Sequence, residues 1–288
     1  MLQSMTGFGK ATASFNGMKV TVEIKTLNSK SFDLYLKVPN YFKEKDVAIR
    51  KMLGDQLERG KLEVFVNLEN TGETSDYEVN VALAKKYYAS LAQIADEVGG
   101  TKENLIATVA RMPEVLTGKE AELSEEDGKA LLTLVQEAID KLIDFRKQEG
   151  ESLHSDLQER INAIDHLLGE VPQYEEERIQ KIRERMSGAL EEIDLNSDAN
   201  RFEQELIYYI EKLDVSEEKV RLNNHLKYFV ETMNQDTAVG KKLGFIAQEI
   251  GREINTLGSK AQHAELQKIV VNMKDNLEKI KEQVLNTL

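Results

Sequence analysis

The feature that most constrains the fold is a change of hydrophobic period along the chain. Over residues 1–70 apolar residues alternate with polar ones: Val20, Val22 and Ile24 in MKVTVEIKTL, Phe32, Leu34 and Leu36 in SFDLYLKV, and Leu62, Val64, Val66 and Leu68 in KLEVFVNLE. A period of two puts each set on one face of a strand. After the polar turn NTGETSD at 70–76 the period lengthens to that of a helix and stays there. The two patterns in this order predict an α+β fold, with a small β-rich N-terminal part carrying one helix, a long mostly α-helical region and a helical C-terminal domain.

Boundaries follow from composition and caps, and they divide the chain into 1–118, 119–197 and 198–288. In the first part Asn28 and Ser29 hold hairpin-like positions between two strands, and Pro39 ends the second. Val47, Ile49, Leu53 and Leu57 then have near-helical spacing, with Gly60 as the expected C-cap. Residues 79–98 and 103–111 are helical candidates. Ser124 is an N-cap for one or two long helices reaching about Glu170, and another helix starts beside Pro172. EEERIQKIRERMSGALEEI is charged almost all round, as a solvated or coiled helical pair is. Past LNSDAN, Phe202, Leu206, Ile210 and Leu213 share a face. Asp214 and Glu217 have capping-box spacing ahead of a helix that turns Val220, Leu222, Leu226, Phe229 and Val230 inward.

A chain of 288 residues without cysteine needs no disulfide staples and excludes thiolate chemistry and cysteine-based metal sites. The N-terminus lacks the pattern of a signal peptide, and no apolar run reaches the roughly 18 residues a bilayer requires. These observations predict a soluble cytoplasmic protein without a membrane partner. The net charge of −13 is unevenly spread: residues 119–197 carry 10 basic against 21 acidic groups, whereas residues 1–70 carry 11 against 8 and 241–288 carry 8 against 6. An acidic middle with mildly basic ends leaves room for an anionic ligand.

The densest chemistry lies in GFIAQEIGREINTLGSKA, Gly244 to Ala261. At about 100° per residue, Leu243, Ile246, Ile250, Ile254 and Leu257 form a narrow apolar stripe. Glu249, Glu253, Thr256 and Lys260 line one flank; Gln248, Arg252, Asn255 and Ser259 form a second line beside it. Gly244, Gly251 and Gly258 recur every seven residues on a third edge, where they would admit the close approach of another helix or of a ligand's backbone. The preceding helix offers Asp214, Glu217 or Glu218, Arg221 and His225 along one face. If the two helices adjoin, Glu249, Glu253 and Asp214 can organise a divalent cation, His225 can relay a proton, and Arg221, Arg252 and Lys260 can neutralise phosphate oxygens. Asp214 also suits an N-cap. No zinc, P-loop or dinucleotide motif is present, and Gly7 and Gly9 in SMTGFGK read as a turn or strand bulge.

Over essentially its full length the chain resembles the bacterial YicC/YloC family of endoribonucleases. SMTGFGKA, LNSKSFDLYLKVP and LERGKLEV match the N-terminal domain of that family, and DVSEEKVRLNNHL, GKKLGFIAQEIGREINTLGSKA and MKDNLEKIKEQVLN match its C-terminal signature. The resemblance implies an enzyme that cuts RNA internally with a divalent metal cation, Mn or Mg, and works as a homo-oligomer, a hexamer enclosing the RNA. Its polar signature falls on Asp214, Glu217, Glu218, Arg221, His225, Gln248, Glu249, Arg252, Glu253, Asn255, Thr256, Ser259 and Lys260, and its N-terminal motifs on Asn28, Arg59, Gly60 and Lys61. Motif membership by itself assigns no catalytic role; taken with the spacing above, catalytic roles are expected of His225, Glu249 and Glu253, metal ligation of Asp214, Glu249 and Glu253, and RNA contacts of Arg59, Lys61, Arg221, Arg252, Asn255 and Lys260. Three departures stand out: Gly244 where the family usually has Asp, Gly251 where Asn is frequent, and Lys30–Ser31 in place of an Arg–aromatic pair. The competing reading is a non-catalytic oligomeric RNA-binding or scaffold protein whose polar band is a subunit interface.

Overall fold

A computed structural model of the chain describes residues 2–29, 31–57, 59–70, 77–118, 123–192, 199–235 and 239–288. Lys30, residues 71–76, where a turn is expected, and residues 195–198 of LNSDAN lie outside them. The alternating segments form one mixed sheet of β1 (Gly7–Phe15), β2 (Met18–Leu27), β3 (Phe32–Lys37) and β4 (Gly60–Asn70) in the order β1-β2-β4-β3, with β3 parallel to β4 and the other pairs antiparallel. Asn16 and Gly17, both at positive φ (50° and 72°), turn β1 into β2. This is the two-residue turn whose twist matches the strands it joins. β2 and β3 are not the hairpin that Asn28 and Ser29 suggested, because β4 lies between them. A parallel pair needs a crossover, which α1 (Asp46–Gln56) supplies. Gly60 is not its C-cap: the helix ends at an extended Leu57, and Gly60, at φ 123°, opens β4.

Gly7 and Gly9 lie in a regular strand, paired without a break from Gly7↔Thr26 to Phe15↔Met18, rather than in a turn or bulge. Their function is steric. A Cβ on Gly9 would stand 2.0 Å from the Ala138 carbonyl oxygen, and one on Gly7 2.7 Å from Leu142 Cδ1. Both contacts belong to α4 (Glu125–Glu170), a single helix of 46 residues, about 69 Å at 1.5 Å per residue. Ser124 caps it as expected, its Oγ accepting from Asp127 N at 3.0 Å.

Helix α4 serves two cores. Its first half buries Leu131, Leu134, Val135, Ala138, Ile139 and Leu142 against the sheet and α1. Its second half buries Leu157, Ile161, Ile164 and Leu168 among α7 (Ser216–Met233), α8 (Gly240–Ala261) and α9 (Ala264–Val284). Between β4 and α4 a small unit consists of β5 (Tyr77–Val79), α2 (Val81–Val98), α3 (Leu105–Val109) and β6 (Leu116–Gly118). The charged segment after Pro172 becomes α5 (Glu175–Glu192). It pairs with α6 (Ala199–Lys212) over a minor core of Ile182, Leu206 and Leu213. Val47 and Val220, expected inside, are exposed. No described helix is long and apolar enough to cross a membrane.

The two ends of the chain are stitched together. Met5 N donates to Asn286 O at 2.8 Å and Leu288 N to Gln3 O at 2.9 Å, while Ser4 and Thr287 form a β-bridge. The two mildly basic segments, 1–70 and 241–288, are therefore joined at these ends, although residues 71–240 separate them in sequence.

Candidate functional site: the α7–α8 seam

Helix α8 is oriented by three of its edges. The expected stripe, Leu243, Ile246, Ile250, Ile254 and Leu257, is buried in the C-terminal core. The glycine edge faces α9 in antiparallel register: a Cβ on Gly244, Gly251 or Gly258 would meet Val284 (3.8 Å), Leu277 (3.1 Å) or Val270 (2.9 Å). Each seven-residue step up α8 is matched by a seven-residue step down α9. The close approach that the glycines suggested is thus made by a helix. The fit is loosest at Gly244. The third edge, Gln248, Glu249, Arg252, Asn255 and Ser259, is exposed.

Helix α7 lies against the remaining flank and runs antiparallel to α8. Lys260 Nζ donates to Glu218 Oε1 at 2.8 Å and to the Asp214 carbonyl at 2.9 Å. From this pairing, seven residues along each helix in opposite directions bring Glu253 and His225 to about one level of the seam. His225 is half-buried. Glu253 is buried at 5% exposure, and among the described residues its carboxylate has no hydrogen-bond or ion-pair partner. Its carboxylate oxygens, unlike Glu218 Oε2, are not sealed from solvent, so the group is free to take a ligand from outside. Glu218, equally buried, keeps Oε2 without a partner while Oε1 holds Lys260.

The other expected site residues divide by what already occupies them. Asp214 accepts from Ser216 Oγ at 2.8 Å and Ser216 N at 3.2 Å, and those bonds hold its carboxyl below the usual aspartate range. It is the turn that starts α7. The expected capping box does not form, since Glu217 pairs with Arg221 instead. Nor does Asp214 join Glu249 and Glu253: it sits at the Lys260 end, roughly 16 Å along the helix axis from Glu249. Among the described residues no group of three His, Asp or Glu side chains is arranged to hold a metal within one chain. Glu249 and Glu253, one turn apart, fit the sparser mode in which one or two carboxylates hold Mg or Mn and substrate phosphates and waters complete the shell.

Arg252 is 74% exposed and, among the described residues, pairs with Glu249 at 3.9 Å; Arg221 is likewise open apart from Glu217. Asn255 is exposed beside them. Lys61 is half exposed and pairs with Glu63 at 3.0 Å. Arg59 is used structurally, donating to the Thr287 carbonyl at 3.0 Å, as Asn28 Nδ2 does to Leu285 O at 2.7 Å. Both motif residues therefore fasten the sheet to the C-terminal end of the chain.

One supporting cluster left no trace in the sequence. Arg178 of α5, 4% exposed, donates to the Leu213 and Lys260 carbonyls at 3.0 and 3.3 Å, where α6 and α8 end. A cation suits the negative end of a helix dipole. Beside it Lys181 and the buried His263 hold the Glu177 carboxyl below its ordinary range, and His263 stacks on Tyr174. In a helix charged on every face no residue stands out by periodicity, so the sequence could not single out Arg178.

Comparison with known proteins agrees with this layout. Residues 2–155 match the family model described as "Endoribonuclease YicC-like, N-terminal region", and residues 169–287 the one described as "Endoribonuclease YicC-like, C-terminal". A protein of Haemophilus influenzae named "Probable endoribonuclease YicC" is 31% identical, and one of Clostridioides difficile with the same name 29%, each alignment covering 99% of both chains. The chain belongs to the YicC-like endoribonuclease family.

Proposed function

We propose that the protein is a cytoplasmic endoribonuclease that acts as a homo-oligomer, a hexamer, with RNA bound along the exposed edge of α8 and Mn or Mg held by Glu249 and Glu253. The observation that carries this reading is Glu253, whose carboxylate has no partner among the described residues, on a helix whose neighbouring edge is a row of exposed polar groups. The joining of the two mildly basic segments supports an anionic substrate, as do the names of the full-length relatives.

The cation, when bound, supplies Lewis acidity toward a phosphoryl oxygen. Arg221 and Arg252, each engaged by a single surface carboxylate, are free to turn onto phosphate, and Asn255 offers a donor and an acceptor to the sugar or base. Lys61 extends the basic track onto the sheet. Lys260, committed to Glu218 and the Asp214 carbonyl, positions α7 against α8 rather than contacting RNA; Arg59 likewise acts through the C-terminus. His225 sits at the level of Glu253 and moves the proton. In hydrolysis a bond forms from water oxygen to phosphorus and the P–O3′ bond breaks; the water gives up a proton, the departing O3′ takes one up, and His225 relays it. Attack by the neighbouring 2′-hydroxyl would use the same cradle and leave a 2′,3′-cyclic phosphate instead of a 5′-phosphate.

The test is cleavage of end-labelled RNA, with and without chelator, by the wild type and a Glu249→Ala/Glu253→Ala double mutant. The expected result is chelator-sensitive cleavage that the double mutant loses while still binding RNA. Full activity in the double mutant would overturn the assignment. Tight binding without cleavage by the wild type would favour the scaffold reading.

A further inference from the structure

The exposed edge of α8 is not wholly polar. Phe245 lies about half a turn from the apolar stripe of that helix and is 58% exposed, more than any other phenylalanine of the described residues. It precedes Glu249 by four residues and Arg252 by seven, so it stands on the polar edge in line with both. Across the seam Tyr228 of α7 is 43% exposed and follows Arg221 by seven residues. Lys242 Nζ lies over the Tyr228 ring, 4.8 Å from its centroid. An ammonium on one face of a ring leaves the other face for a further partner.

The Lys260–Glu218 and Lys242–Tyr228 contacts mark the two ends of an antiparallel seam. Seven residues up α7 from Arg221 and seven down α8 from Arg252 therefore lead in the same direction, and each path ends on an aromatic ring about 10 Å from its arginine. Both helices thus present the same order, a guanidinium and then a ring, with His225 and Glu249 between. Lys241, exposed one turn before Phe245, and Lys242 add positive charge at the ring end. The centre of a protein–protein contact is depleted of charged groups, whereas here Phe245 has Lys241, Glu249 and Arg252 as helical neighbours and Tyr228 has Arg221, His225 and Lys242. Flat rings set among cations suit a single nucleic-acid strand, whose phosphates take the charges and whose bases stack on the rings. We propose that Tyr228 and Phe245 form a base-stacking subsite, each ring taking an unpaired base of the strand whose phosphates rest on Arg221 and Arg252.

The proposal rests on the reading that RNA binds along α8, and its test separates the two. Binding to the full-length protein is read by fluorescence anisotropy in chelator, with labelled oligouridine and with a strand of equal length that keeps every phosphate but has no bases. Phe245→Ala and Tyr228→Ala should each weaken oligouridine binding by about 5- to 150-fold and leave binding of the base-free strand unchanged. Phe245→Tyr should keep the affinity; Phe245→Leu, apolar but not flat, should lose it. Arg252→Ala should weaken both strands alike and lower the slope of affinity against salt, which the ring variants leave as it is. Both rings are exposed, so their variants should keep the wild-type urea midpoint and sedimentation mass. Equal losses on the two strands, or none on oligouridine, would overturn the subsite and leave RNA binding standing. A Phe245→Ala protein of lower mass would make that ring a subunit contact and overturn its assignment. A wild type that binds neither strand would overturn the subsite and the RNA reading together.

Discussion

Replacing the three seam glycines of α8 one at a time by alanine makes the packing against α9 measurable. In a helix interior alanine gains about 1 kcal/mol over glycine from propensity, so any departure from that gain reports the space available. At Gly244 a Cβ would lie 3.8 Å from Val284 Cγ1, ordinary contact, and Gly244→Ala should stabilise by nearly the full gain. At Gly251 the nearest atom, Leu277 Cδ2 at 3.1 Å, is the end of a flexible side chain that yields by a few tenths of an ångström, so the net effect should be near zero. At Gly258 the Cβ would stand 2.9 Å from Val270 Cγ1. Val270 is 1% exposed and β-branched, with its χ1 fixed in a helix, so the side chain cannot rotate away. Overpacking of this kind costs about 1–3 kcal/mol, which cancels or exceeds the propensity gain. The expected order of stability is Gly244→Ala, Gly251→Ala, Gly258→Ala, with about 1–3 kcal/mol between the extremes, read as midpoint shifts in urea at constant slope. A Gly258→Ala protein as stable as Gly244→Ala would refute the antiparallel seam. A Gly258→Ala protein that folds normally but fails to bind RNA would move the close approach from α9 to the substrate.

Two further outcomes follow from the α7–α8 seam. Lys260→Met leaves the buried Glu218 without its cation and should destabilise by about 3 kcal/mol in chemical denaturation, and adding Glu218→Gln should recover part of that loss. The carboxyl of Asp214 is held below its ordinary range by Ser216, so its contribution is complete above the usual aspartate pKa and disappears as pH falls through the lower folded-state value. Asp214→Ala should therefore cost about 1 kcal/mol at pH 7, and thermal denaturation should show the difference from wild type shrinking under acid conditions.

Much of the architecture was written locally. Alternation in MKVTVEIKTL and KLEVFVNLE led to strands because residues two apart share a face whatever lies beside them. The stripe from Leu243 to Leu257 led to a buried helix face for the same geometric reason, and Ser124 capped α4 because its hydroxyl reaches an amide three residues on. What misled was anything that depended on a distant neighbour. Asn28 and Ser29 resemble a hairpin only until β4 inserts between the strands they join. The Asn16–Gly17 turn, by contrast, was a legible signal, and it makes β1 the hairpin partner of β2.

The candidate site divides along the same line. The sequence by itself determined the two polar lines of α8, the seven-residue spacing of its glycines and the chemistry of the groups available, because all of these follow from helical periodicity. Only the tertiary structure decided which line is submerged. Glu249 and Glu253 are equivalent by spacing, yet α7 covers Glu253 and leaves Glu249 in water. Asp214 and Arg59 look like ligands in sequence, but a serine two residues on and a carbonyl 228 residues away claim them. Burial and the identity of a hydrogen-bond partner depend on which surfaces meet, and no period along one helix encodes that.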